Sequence, residues 1–400
     1  MAEKYTYIIV GGGLAGVSAI EGIRERDKDR PILLIGSEKD RPYDRPPLSK
    51  KLWLGKKKVE EIFLHDQKFY DENKVTLLLE TTVTAVDPDN KTVTDEKENK
   101  YRYEKLLLAT GGSPRMLPII GGYLEGLCYF RYLGDYLRIR QEAEAGKSAM
   151  VIGGGFIGSE MAAALNISKL DVTMIFPETY ICSRVFPESL GRTMIGRYLE
   201  RDIRVLKGDK PVAITRKGDR FLTQTDNGKK IESDMVIVGV GISPETKLAE
   251  MAKLSVGNGV VVNEYLTTSH PDIYAAGDNA LFYYQALGKQ MRLEHWDNAI
   301  NQGKLAGRNM AGAKQIFGYM PYFFSDLFEF GYEAVGEVST ELDTFCDWQK
   351  ENDTGVIYYL KDNKIRGAMM CNVWGKVEAA RQLIVKGETV SAQELHGLIK

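Results

Sequence analysis

"YTYIIVGGGLAGVSA", residues 5–19, is an apolar run that breaks into three glycines and resumes as small and apolar residues. It reads as a buried strand, a tight turn and a helix, with Gly11, Gly13 and Gly16 in the spacing G-x-G-x-x-G. One such motif is weak evidence. About 140 residues later, however, "SAMVIGGGFIGSEMAAAL", residues 148–165, repeats it with Gly153, Gly155 and Gly158. Each copy is followed by a second apolar run that ends in an acid, "PILLIGSE" at Glu38 and "DVTMIFPE" at Glu178. That arrangement has the physics of a dinucleotide site. The first glycine makes the turn, the second lets backbone approach a pyrophosphate, and the third packs helix on strand, while the helix N-terminus offers N–H groups to the phosphates. The acid accepts hydrogen bonds from a ribose diol. Glycine turns without a ligand explain either copy alone well enough, and both together poorly.

Two dinucleotide sites in one chain suggest two nucleotides that react with each other. The copies differ two residues after the third glycine, where the first has Ser18 and the second Glu160. A flavin adenine dinucleotide held permanently and a nicotinamide dinucleotide that exchanges fit this asymmetry, because hydride passes directly between their rings.

The rest of the composition narrows the surroundings. At 400 residues the chain is long enough for two or three domains. A formal net charge of −2 gives no global field for nucleic acid or an anionic membrane. No run of about 18 apolar residues is present, and the first residues lack a signal pattern, so the expectation is a soluble, cytoplasmic protein. Cys128, Cys182, Cys346 and Cys371 lie far apart, with neither a redox dithiol nor metal-ligand spacing. "YEKLLLATGGSPR" predicts a strand over 106–109 that breaks at Thr110, and "HPDIYAAGDNA" a strand ending at Gly277 and Asp278. Between them lies a domain's length of chain containing the second fingerprint. The simplest topology inserts the second domain into the first, so that Asp278 returns to the first domain's sheet, at a strand end suited to a cofactor hydroxyl.

Taken in order, "VGGGLAG", "SEKDRPYDRPPLSKKLW", "ATGGSPR", "VIGGGFIGSE", "AAGDNA", "EHWDNAINQGKLAGRNMAG" and "YFFSDLFEFGYEAVGE" resemble the two-dinucleotide-binding flavoproteins of the ferredoxin reductase and apoptosis-inducing factor group. The resemblance implies an α/β fold of two Rossmann-like domains plus a C-terminal α+β interface domain. It places an FAD-binding domain at 1–116 and 245–319, an NAD(H)-binding domain at 117–244 and the interface domain at 320–400. For FAD it implies contacts at Gly11, Gly13, Leu14, Ala15 and Gly16, the ribose acid Glu38, and flavin-domain contacts at Arg45, Lys50 and Val83. Ala109, Thr110, Gly111 and Arg115 fall around the pyrophosphate and flavin, and Gly277 and Asp278 at the ribityl chain. Glu294, His295 and Trp296 match the segment beside the flavin's pyrimidine end, and Phe324 stands where tryptophan is common in the group. For NAD it implies Gly153, Gly155, Phe156, Ile157, Gly158, Glu178 and Gly241, with Glu294 and His295 near the nicotinamide. Glu160 matches the acid that pairs with a lysine, here Lys50, and these two are the implied catalytic pair. Read without the family, His295 is an ordinary helix-start residue and Tyr322, Phe323 and Phe324 are core aromatics.

Absences sort the electron acceptors. The chain has no cysteine before Cys128, where related folds place a thiol near the flavin, so disulfide or peroxide chemistry through a protein thiol is not expected. Residues 41–58, "RPYDRPPLSKKLWLGKKK", carry seven basic residues against Asp44 alone. A solvated charged turn accounts for that patch, and so does a docking site for an acidic ferredoxin or rubredoxin. The leading expectation is NADH oxidation through FAD to such a carrier. The alternatives are a slowly turning redox sensor like apoptosis-inducing factor, and an NADH oxidase or quinone reductase. A homodimer is left open.

Overall fold

A computed structural model of the chain describes residues 3–399. They form two compact units. The first takes the chain up to Asp44, Val59–Ser113 and Ser243–Phe323, and the second takes Arg45–Lys58, Pro114–Ile242 and the chain from Phe324 onward.

The first unit is built on a parallel sheet in the order Ile273–Ala275, Lys105–Leu108, Tyr7–Val10, Ile32–Ile35, Val75–Leu78. Its central strands are runs of buried apolar residues, as a parallel sheet requires. Ile9 lies opposite Leu34 on one side and Leu107 on the other. The chain therefore enters this sheet at its middle strand, Tyr7–Val10, crosses first to one side and later to the other. Outside the carboxyl ends of strands at such a reversal is where open α/β sheets bind ligands. The strand predicted over 106–109 runs from Lys105 to Leu108 and gives way to Gly111 at φ 65°. Ile273–Ala275 pairs with it, with Tyr274 opposite Leu107, so the segment ending in Asp278 does return to this sheet.

Helix Leu14–Arg24 packs on helix Trp296–Met310 with main chains almost touching. A Cβ on Gly303 would lie 2.2 Å from the Ala15 carbonyl oxygen, and one on Gly307 2.1 Å from that of Ala19. Only small residues allow this approach.

The second unit repeats the parallel plan in the order Cys128–Tyr129, Met235–Val238, Ser148–Ile152, Asp171–Phe176, Arg204–Lys207. Met150, Ile152, Ile175, Val236 and Val238 form its core with Ile214 and Phe221 from an antiparallel three-stranded sheet. A five-stranded antiparallel sheet, in the order Tyr322–Leu327, Phe330–Gly336, Lys364–Cys371, Thr354–Lys361, Asp343–Lys350, carries helices Val377–Lys386 and Ala392–Leu395. The segment Arg45–Lys58 is pinned to this unit by Trp53. That ring is buried edge-on against Tyr136, with centroids 5.4 Å apart, and its Nε1 donates to the Leu48 carbonyl at 2.7 Å. Among the described residues no helix is long and apolar enough to cross a membrane.

Candidate functional site

The two fingerprints have nearly the same backbone. Gly11 sits at φ 124° and Gly153 at φ 123°. A Cβ on Gly11 would lie 2.1 Å from the Ala109 carbonyl oxygen, and one on Gly153 2.3 Å from that of Gly239. The third glycines are as crowded, with 2.2 Å from Gly16 to the Gly11 oxygen and 2.0 Å from Gly158 to the Gly153 oxygen. The middle glycines are the opposite case. Nothing lies within 4 Å of a Cβ on Gly13 or on Gly155. Each is the N-cap of its helix, no side chain caps it, and the first turn holds no acid. Leu14 and Ala15 in one copy, Phe156 and Ile157 in the other, thus open a helix whose N–H groups and dipole are left for an anion.

The two acids differ. Glu38 is half-buried and accepts a hydrogen bond from the Tyr43 hydroxyl at 2.5 Å, whereas the Glu178 side chain is exposed.

Further polar groups of the first unit gather along the strand ends. The Thr110 hydroxyl donates to the Glu245 carbonyl and accepts from Asn279 Nδ2, and the Gly277 N–H donates to Gln302. Arg292 Nη1 reaches the Asp278 carbonyl at 2.8 Å and Glu294 at 2.8 Å. Trp296 Nε1 donates to Asp44 at 2.7 Å. His295 caps helix Trp296–Met310, with its ring 4.5 Å from that of Phe323. Burial pushes its pKa down to about 4, so the imidazole is neutral. Val83 is buried in the strand Val83–Asp87. Asn279 Oδ1, His295 Nδ1, Asn298 Oδ1 and Gln302 Nε2 are buried without a hydrogen-bond partner among the described residues. Buried polar atoms are normally satisfied. With the open space at Gly13, this orphaned set fits a bound FAD.

Four residues assigned to FAD lie instead in the second unit: Arg45, Lys50, Arg115 and Phe324. Arg45 donates to the Arg131 carbonyl at 3.1 Å and stands over the Tyr132 ring, and Arg115 bonds the carbonyls of Gly241 and Ile242.

Lys50 meets both Glu160 and the Phe324 ring. The Pro46–Ser49 turn, in which both prolines restrict the backbone, delivers Lys50 so that its Nζ lies 2.7 Å from Glu160 Oε1 and 5.6 Å from the centre of the Phe324 ring. The ion pair is largely buried, at 11% and 4% side-chain exposure. Removing either partner would leave a buried charge uncompensated. Two serines not singled out in the sequence complete the contact. Ser49 Oγ donates to Glu160 Oε2 and Ser325 Oγ to Oε1, each at 2.5 Å. Neither has a sequence signal, because the partner lies 111 or 165 residues away.

All four cysteines are free thiols. Burial pushes Cys128 and Cys182 up to about 12 and Cys346 to about 11, and Cys371 goes well above the usual thiol range. None is a poised nucleophile.

The family model described as Pyridine nucleotide-disulphide oxidoreductase matches residues 5–303. The chain belongs to that family. This oxidoreductase is 34% identical to Apoptosis-inducing factor 1, mitochondrial, of Dictyostelium discoideum, over 97% of its own length and 80% of that protein. It is 32% identical to the ferredoxin--NAD(+) reductase component of the anthranilate 1,2-dioxygenase system of Burkholderia cepacia, over 97% and 96%. With Rubredoxin-NAD(+) reductase of Pseudomonas putida it shares 35% identity over 82% and 86%. A chain in the crystal structure of the covalent putidaredoxin reductase–putidaredoxin complex superposes with a TM-score of 0.92 at 30% identity, covering 97% of this oxidoreductase and 95% of that chain. The fold is that of the ferredoxin reductase group.

Proposed function

We propose that this oxidoreductase takes hydride from NADH and delivers the electrons to a small iron–sulfur carrier of the ferredoxin or rubredoxin kind. The observation that carries the reading is the doubled glycine turn at two sheet reversals, one with its acid tied down and the other with its acid exposed. The first suits a resident nucleotide and the second an exchanging one. FAD, when bound, supplies the chemistry that links a two-electron donor to one-electron acceptors. In this reading residues 1–116 and 245–319 form the FAD-binding domain, 117–244 the NAD(H)-binding domain and 320–400 the interface domain. The Gly11 turn, Glu38 and the orphaned groups around Gly277, Asp278 and His295 hold FAD, and the Gly153 turn with Glu178 takes NADH. Glu160 supplies the charge opposite Lys50 Nζ, and this pair serves the transfer step.

An iron–sulfur acceptor is supported by the relatives that are ferredoxin and rubredoxin reductases, and by the local excess of basic residues over 41–58, which would steer an acidic partner. A cytoplasmic location belongs to the same reading and is supported by the four cysteines, none of which is paired with another. The likeness to an apoptosis-inducing factor favours a second reading, a redox sensor with slow turnover. Stopped-flow reduction of the purified flavoprotein by NADH, followed by a screen of ferredoxin, rubredoxin, quinone and oxygen, separates them. Fast reoxidation by an iron–sulfur carrier is the expected result, and a long-lived reduced complex with every acceptor would favour the sensor.

A further inference from the structure

Glu160 is held by three donors, one of them sharing a turn with the lysine it neutralises. Lys50 Nζ and Ser325 Oγ both address Oε1, and Ser49 Oγ takes Oε2. Ser49 and Lys50 are consecutive, so one turn grips both oxygens of one carboxylate. Three donors on two oxygens suit an ionised carboxylate, an acceptor-only group. Glu160, Ser49 and Ser325 are all at most 5% exposed. The other titratable groups close to Glu160 are Cys182, Tyr198 and Tyr332, and burial keeps all three neutral, the thiol at about 12 and the phenols well above their ordinary range. Among the described residues Lys50 is the cation that bonds Glu160.

We infer that Ser49 is a positioning residue: its hydroxyl ties the Pro46–Ser49 turn to Glu160 without using the lysine's charge, and so sets where Lys50 Nζ is held. The inference rests on the function proposed above for its kinetic consequence, though not for the tether itself. A lysine anchored by its own charge alone would swing away whenever that charge was needed elsewhere. With Ser49 on the second oxygen, the turn stays docked while the Nζ contact loosens. The turn's own hydrogen bonds, Lys50 N–H to the Pro47 carbonyl and Trp53 N–H to that of Lys50, report on that docking.

The test is hydrogen exchange at the amides of residues 48–54 in the FAD-loaded protein, for the parent, Lys50→Met, Ser49→Ala, Ser49→Thr and Lys50→Met/Ser49→Ala. Protection in Lys50→Met is expected to stay within about threefold of the parent, and in the double variant to fall by roughly tenfold or more, the scale of one hydrogen bond to a charged group. Ser49→Thr keeps the hydroxyl and is expected to match the parent. In stopped flow, Ser49→Ala is expected to lower the limiting rate of flavin reduction by about threefold or more, leaving the NADH dissociation constant within about twofold, with Ser49→Thr restoring the rate. Exchange in Lys50→Met as fast as in the double variant overturns the inference, as does a Ser49→Ala limiting rate equal to the parent's. If NADH fails to reduce the parent, the proposed function falls, and the exchange rates still decide the tether.

Discussion

The glycine turns at Gly11 and Gly153 are nearly superposable in backbone, yet the helices they open meet different surroundings. Helix Leu14–Arg24 lies so close to helix Trp296–Met310 that small residues stand at the contact, Ala15 against Gly303, Ala19 against Gly307 and Gly22 against the Lys304 carbonyl. Helix Phe156–Ile167 carries Glu160 where the first has Ser18, and pairs it with Lys50. The acids that follow the two turns divide in the same way, Glu38 held by Tyr43 and Glu178 exposed. In the proposed reading the shared turn serves dinucleotide binding, and what surrounds each turn separates a resident nucleotide from an exchanging one.

The strongest way to break this comparison is to damage each turn in the same way. Gly11→Ala puts a Cβ against the Ala109 carbonyl at a φ that L side chains rarely adopt, and is expected to reduce flavin from about one per chain to almost none. Gly153→Ala is equally strained, but is expected to yield a yellow protein that NADH no longer reduces. The readouts are absorbance of the purified protein and stopped flow. Loss of flavin from both variants would show that the sites do not divide their work.

A smaller effect is expected at the pair that only the second copy possesses. Lys50→Met and Glu160→Ala should each slow flavin reduction by roughly 10-fold or more, a barrier change of about 1.4 kcal/mol or above, with flavin retained. The double variant should cost less than the sum, because each single variant already removes the shared contact. Additive losses would separate the two residues.

The exposed acid offers a narrower test. A carboxylate accepts from a free 2′-hydroxyl and repels a 2′-phosphate, so the parent should prefer NADH, and Glu178→Gln should reduce the ratio of kcat/KM values for NADH over NADPH by about tenfold. An unchanged ratio would remove Glu178 from the choice.

The smallest effect concerns His295. Its folded pKa near 4 lies below the unfolded value near 6.5, so between those pH values the unfolded chain binds more protons. This contribution is fully present above about pH 6.5 and is lost as the pH falls toward 4. The Tm should fall by a few degrees between pH 7 and pH 5 on this account, and His295→Gln should flatten that part of the slope. A slope that His295→Gln leaves unchanged would mean that the ring is not held neutral by burial.

Both turns and both acids were legible because glycine spacing and strand periodicity are local properties. The return of Asp278 to the first sheet was legible too, since a domain's length of chain with its own fingerprint separates "YEKLLLATGGSPR" from "HPDIYAAGDNA". The hydroxyls around Glu160 were not legible, because Ser49 and Ser325 acquire meaning only when distant segments fold together. Nor was the attachment of Arg45–Lys58 to the second unit, which depends on the burial of Trp53 against Tyr136. In sequence that segment reads only as stiff and cationic.

The pairing of Ile273–Ala275 with Lys105–Leu108 also has a bearing on synthesis. Lys105 is bonded to Asp272, 167 residues further on. A ribosome adding about 5–20 residues per second leaves the Lys105–Leu108 edge exposed for roughly 10–30 s, while the parallel sheet of the second unit, continuous in the chain between 128 and 238, is completed. The strands of the inserted sheet are all synthesised first, and the nascent chain carries an apolar strand edge that has to be kept from pairing with another molecule until its neighbour emerges.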